Sequence, residues 1–157
     1  MPILSIMIRK ATFLTLLLAT LVAGKVAAET MDVYKSPTCG CCTGWIEHME
    51  AEGFEVTVHN MDNVNPIKQE SGLPPALASC HTAFVGGYLL EGHVPAEDVQ
   101  RLLSEKPDIK GLAVPGMPAG ENVPGMEVPG RRAKFTTYVI PDNAELSAQP
   151  EIFATHE

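Results

Sequence analysis

The stretch MDVYKSPTCGCCTGWIEHMEAEG, Met31 to Gly53, changes its pattern twice. Met31 to Ser36 alternates and is rich in strand formers, which reads as a first strand. Pro37 to Cys42, PTCGCC, reads as a Pro/Gly turn. Beyond it Trp45, Ile46 and Met49 recur at helical spacing and Gly53 supplies a stop, so a helix is predicted over Thr43–Glu52. Cys39, Cys41 and Cys42 therefore stand on a strand-to-helix turn, where a helix dipole and free N–H groups favour thiolates.

Phe54 to Met61 alternates and reads as a second strand. A short helix is expected around Pro66–Ser71, ended by Gly72 and the Pro74-Pro75 pair. Thr82–Val85 and Tyr88–Glu91 flank Gly86-Gly87, a pair suited to a tight hairpin turn with positive φ. A last helix opens with Pro95 at its first position, carries acids in its first turn, and lines up Val99, Leu102 and Leu103. The order strand, helix, strand, short helix, hairpin, helix predicts a thioredoxin-like α/β fold, a mixed sheet with flanking helices. Residues 107–130 turn to Pro, Gly, Val and Met, and Val114-Pro115-Gly116-Met117 recurs as Val123-Pro124-Gly125-Met126; two copies are too few for a solenoid, so a Pro/Gly/Met-rich loop is expected. In the C-terminal extension, 131–157, Lys134–Ile140 reads as a strand and the tail as an edge strand.

The N-terminus decides the redox compartment. Arg9 and Lys10 precede an apolar run of 14 residues, Ala11 to Gly24, short of the roughly 20 that span a bilayer. Small residues follow at Ala27 and Ala28, so residues 1–28 read as a signal peptide and 29–157 as one exported domain in the periplasm, free of the membrane after cleavage. Lys25 is unusual there and leaves an uncleaved anchor as the alternative. Cleavage removes Arg9, Lys10 and Lys25 and no acid, leaving eight basic and nineteen acidic side chains and a formal charge of −11. Such a surface repels phosphate backbones and anionic lipid, which argues against nucleic acid as a partner.

Three closely spaced thiols admit a structural disulfide, a redox pair or a set of soft-metal ligands. Cys39 and Cys42 have the C-x-x-C spacing of a thiol–disulfide oxidoreductase, but Cys41 would capture or scramble that pair. Cu(I) accepts two or three sulfur ligands, whereas zinc wants four in a tetrahedron. Cys80 adds to the metal reading. In a thioredoxin-like topology Ser79-Cys80-His81 lies beside the first strand-to-helix turn, where redox members of that fold carry a cis-proline, and two potential ligands stand there instead. Met117 and Met126 are candidate soft ligands from the loop, or loop residues plugging onto the core. His81 is a candidate ligand or a donor to one. His93 reads as a capping or surface residue, with an approach from the hairpin end as the alternative, and His48, His59 and His156 read as surface residues.

The segments YKSPTCGCCTGW, PPALASCHTAFVGGYLLEGHVPAEDVQRLL and GLAVPGMPAG together resemble the CopG-type periplasmic metal-binding proteins, over about Met31 to Glu127. The resemblance implies a thioredoxin-like fold binding copper as Cu(I) in a cysteine-bridged, multinuclear cluster. The family's C-x-C-C falls on Cys39, Cys41 and Cys42, its Ser-Cys-His on Ser79 to His81, and its Val-Pro-Gly-Met on Val114 to Met117. It also implies a shorter connector before the second Pro-Gly-Met than Glu121-Asn122-Val123 supplies here, which bears on Met126. An oxidised, metal-free form with a Cys39–Cys42 or Cys42–Cys80 disulfide is compatible with it. The leading reading is a copper-binding protein of copper resistance, with or without Cu(I)/Cu(II) interconversion, exchanging copper with other periplasmic copper-handling proteins. The alternatives are an oxidoreductase using Cys39 and Cys42, and a disulfide or zinc interaction module.

Overall fold

The computed structural model describes residues 28–142 and 150–157; residues 1–27, most of the expected signal peptide, lie outside the described residues. Seven strands form one mixed sheet: β1 (Thr30–Lys35), β2 (Glu55–Asn60), β3 (Thr82–Val85), β4 (Tyr88–Glu91), β5 (Gly111–Ala113), β6 (Phe135–Ile140) and β7 (Ile152–His156), in the order β2-β1-β3-β4-β5-β6-β7. Strand β1 pairs parallel with β2, β4 pairs parallel with β5, and all other neighbours are antiparallel. Among the described residues three α-helices accompany it, α1 (Gly40–Ala51), α2 (Asn65–Glu70) and α3 (Ala96–Glu105), with a 3-10 turn at Pro75–Leu77. Among the described residues no helix is long and apolar enough to cross a membrane.

Helix α1 starts three residues earlier than its periodicity suggests and takes in Cys41 and Cys42. Gly and Cys are weak helix formers, which hides the first turn. Burial decides it: Cys42 extends the stripe of Trp45, Ile46 and Met49 at the i, i+3, i+4, i+7 spacing of a core-facing helix. Cys39 is the N-cap, in an extended conformation, and its carbonyl accepts the Thr43 N–H at 3.3 Å. Gly53, with φ 94°, ends the helix in the left-handed region that suits glycine. Pro95 proves to be the N-cap of α3 and not its first residue.

The sheet has two covered faces. Met31, Val33, Ala83, Val85, Leu90 and Leu112 pack with Trp45, Ile46 and Met49 of α1 and with Val99 and Leu102 of α3. Leu89, Ala113 and Ile140 face the other way, against Leu73 and Leu77 of the segment that follows α2. Neighbours such as Leu89 and Leu90 part to opposite faces because strand side chains alternate.

The hairpin forms at the expected residues, with φ 55° at Gly86 and 86° at Gly87, the pair of positive values a two-residue turn of this hand needs. The stretch read as a continuous loop, 107–130, instead opens with strand β5. Three residues between Pro107 and Pro115 are too few to show alternation, and all three are buried, as in a strand covered on both faces. The tail does supply an edge strand, β7. His156, read as a surface residue, lies there with Nε2 2.8 Å from Asp98 Oδ2, which also accepts the Thr137 hydroxyl at 2.6 Å. The buried Asp98 thus ties the last strand to α3.

Candidate metal centre

Strand directions bring the motif segments together. The end of β1 leads into Cys39; β3 runs antiparallel to β1 with Thr82 opposite Tyr34, so Ser79 to His81 enter at that same end. Strand β4 returns there, with Glu91 opposite Thr82, and β5 runs parallel to it, with Ala113 beside Glu91. Gly92-His93 and Val114 to Met117 therefore leave the sheet at this end too.

The sulfur atoms of Cys39, Cys41, Cys42 and Cys80 all lie within 4.8 Å of one another. Cys39 and Cys42 form a disulfide, while Cys41 and Cys80 are free thiols. Cys41 Sγ stands 3.5 Å from Cys39 Sγ. A second group shares Cys80, whose Sγ is 3.3 Å from His81 Nδ1 and 3.2 Å from His93 Nε2. His93, expected at the surface, is 0% exposed. The hairpin register explains it: Thr82 pairs with Glu91 and Ala83 with Leu90, and continuing that register sets Cys80 across from His93. The two-residue turn at Gly86-Gly87 was the sequence signal that carried this, because turn length sets register.

The two Val-Pro-Gly-Met copies make the same kind of turn, with φ 72° at Gly116 and 74° at Gly125, and serve different segments. At the first, the Gly116 carbonyl accepts the Ser79 hydroxyl at 2.6 Å, while Met117 stands 57% exposed. At the second, the Pro124 carbonyl lies 2.7 Å from His93 Nδ1. Gly125 seats against Cys41 O and Trp45 N of α1, where a β-carbon has no room. Met126 is half-buried against the main core. The structure thus gathers the four cysteines, His81 and His93, while Met117 stands exposed on the loop and Met126 packs against the core.

Below Cys80 lies a buried polar pedestal. Glu91, fully buried, accepts the Ser79 N–H at 2.6 Å and the Thr82 hydroxyl at 2.7 Å, and it is ion-paired with Lys68 of α2. Lys68 also donates to Thr82 Oγ1 at 3.0 Å. A charged pair this deep is costly unless fully hydrogen-bonded; here its bonds hold the backbone next to Cys80.

Burial, and next the neighbouring Cys41, push the Cys80 thiol up to about 11. His81 is held well below its ordinary value, by burial first and then by His93, Lys68 and Lys35. Burial also lowers His93, against the Pro124 carbonyl and Glu127, which raise it. Both imidazoles are therefore neutral near pH 7 and keep lone pairs for a metal. A group of four sulfurs, and a second of one sulfur with two neutral imidazoles, fit a soft ion; four thiolates also suit zinc. His93 has the outer partner that commonly orients a ligating imidazole, and His81 Nε2 is buried without a hydrogen-bond partner.

The lowered histidines set a pH dependence. The unfolded chain protonates them near 6.5 and the folded chain resists, so the unfolded state binds more protons below that pH. Stability is therefore full above about pH 6.5 and falls as the pH drops below it. Urea melts of the oxidised, metal-free protein at pH 7.5 and 5.5 check this: His81→Gln and His93→Gln flatten the difference, and equal stability at both pH values counts against neutral burial.

The family described as "Protein of unknown function, DUF411" matches residues 77–128. No curated protein matches the chain. Among solved structures, "Copper resistance protein copG- Form 2" is 38% identical, with TM-score 0.74 over 83% of this chain and 99% of that one. "Copper resistance protein copG- Form 1" is 39% identical, with TM-score 0.72 over 81% of this chain and 96% of that one.

Proposed function

Because the chain belongs to the CopG family of copper-resistance proteins, we propose that it binds copper for copper resistance, holding Cu(I) in a thiolate cluster built on Cys39, Cys41, Cys42 and Cys80. The observation that carries this reading is four sulfur atoms within 4.8 Å of one another at one end of the sheet. Bridging thiolates let several Cu(I) ions share a small pocket, and soft sulfur selects Cu(I) over harder ions. His81 and His93 extend the donor set, and Met117 and Met126 are loop-borne thioethers that close on a loaded cluster. Loading of the four-thiolate cluster requires the Cys39–Cys42 disulfide to be reduced, so copper capacity follows redox state.

The wider reading is a thioredoxin-like domain, residues 29–157, exported to the periplasm by residues 1–28 and exchanging copper with other copper-handling proteins there. The β2-β1-β3-β4 order, with β1 parallel to β2 and β3 antiparallel to both neighbours, supports the thioredoxin-like part.

The test is an anaerobic Cu(I) titration of the reduced protein, purified after expression of the full chain, against a chromophoric chelator with Zn(II) in parallel. More than one Cu(I) per chain is expected, with stoichiometry reduced in Cys41→Ser. One tightly bound Zn(II) with weak Cu(I) uptake would sink the cluster. A thiol–disulfide oxidoreductase is the second reading, favoured by the Cys39–Cys42 disulfide itself; insulin reduction that survives Cys41→Ser and Cys80→Ser is its signature.

A further inference from the structure

The two donor groups respond differently to the disulfide. Closing Cys39–Cys42 takes two of the four sulfurs out of the first group. The second group, Cys80 with His81 and His93, contains neither cysteine and stands intact with the disulfide closed. Both its imidazoles are wholly buried. His93 Nδ1 is engaged with the Pro124 carbonyl, and Nε2 is directed at Cys80 Sγ. His81 places Nδ1 at the same sulfur and leaves Nε2 buried without a partner.

Charge indicates what this group holds. One thiolate and two neutral imidazoles carry a single negative charge, which a monovalent ion cancels. A dication would leave a net charge buried. The mixed sulfur and imidazole set is also one that copper accepts.

We propose that the oxidised protein retains a one-ion site for a soft monovalent metal at Cys80, His81 and His93, and that reduction of Cys39–Cys42 adds capacity to this site. The inference rests on the copper reading above. In the reductive step an external dithiol supplies two electrons and two protons, the Cys39–Cys42 S–S bond breaks into two thiols, and the dithiol becomes a disulfide. Copper held at the one-ion site does not wait for that step, so the chain keeps a foothold on Cu(I) where reductant is scarce.

Ag(I), a redox-inert substitute that leaves the disulfide untouched, is the first probe, and Cu(I) the second. The oxidised protein, its two free thiols confirmed by counting before and after titration, is examined by native mass spectrometry. About one ion per chain is expected, retained in Cys41→Ser and lost in Cys80→Ser and His93→Ala, with His93→Gln and circular dichroism confirming that loss is not unfolding. No ion on the oxidised chain, with several still bound by the reduced chain, overturns this inference and leaves the copper reading standing. An ion that persists in His93→Ala and Cys80→Ser overturns it equally, because the ion then lies elsewhere. Failure of the reduced chain to bind copper removes the parent reading instead.

Discussion

Glu91→Ala is expected to cost about 3–5 kcal/mol of stability, the penalty for leaving one member of a buried ion pair without its partner. Lys68 has only 10% of its side chain exposed and cannot turn to water without leaving Thr82. The same change orphans the Ser79 N–H and the Thr82 hydroxyl. Against the roughly 5–15 kcal/mol that holds a typical domain together, the loss takes a large share. Glu91→Gln keeps the volume and an acceptor for Ser79 and falls between the two. Urea melts of Glu91→Ala, Glu91→Gln and Lys68→Met check this: a Glu91→Ala midpoint equal to the parent's removes the pedestal as a support for the Cys80 segment. In Glu91→Gln, which is expected to fold, weakened copper uptake with intact secondary structure identifies Glu91 as a positioning residue and not merely a core one.

The second large effect belongs to Cys80→Ser. Cys80 is the one residue common to both donor groups, so its loss strikes the reduced cluster and the oxidised-state site together. Apparent metal-binding energies of about 10–16 kcal/mol for structural zinc sites of four ligands put one thiolate at about 3–4 kcal/mol. That is a several-hundredfold loss of affinity. Competition with a Cu(I) chelator measures it directly. Cys41→Ser, which touches one group only, is expected to lower stoichiometry in the reduced state and leave the oxidised state unchanged. Equal losses in the two variants would mean that the groups are not separate.

Much of this site was legible as pattern. The alternation of Met31 to Ser36 and the Trp45, Ile46, Met49 stripe reflect burial on one face of a strand and of a helix, a property local spacing records. The Gly86-Gly87 turn carried the hairpin register, and with it the placing of Cys80 opposite His93. A polar histidine between glycine and valine nonetheless reads as a surface residue, because polarity alone does not show that Pro124 arrives from 31 residues away to cover the ring. Strand β5 was hidden for a related reason: three small or apolar residues define no period, and only pairing with β4 and β6 makes them a strand.

What the sequence determined by itself is the chemistry on offer: three thiols on a strand-to-helix turn, a fourth beside a histidine, and two Val-Pro-Gly-Met turns. Tertiary structure alone decided how those groups are used. It closed Cys39 onto Cys42, buried Glu91 against Lys68 beneath Cys80, and separated a sulfur-only group from a sulfur–imidazole group that the disulfide leaves whole. The physical reason is that burial and pairing are properties of segments far apart in the chain. A charge or an imidazole acquires its role from what packs against it, and composition and spacing do not encode that neighbour.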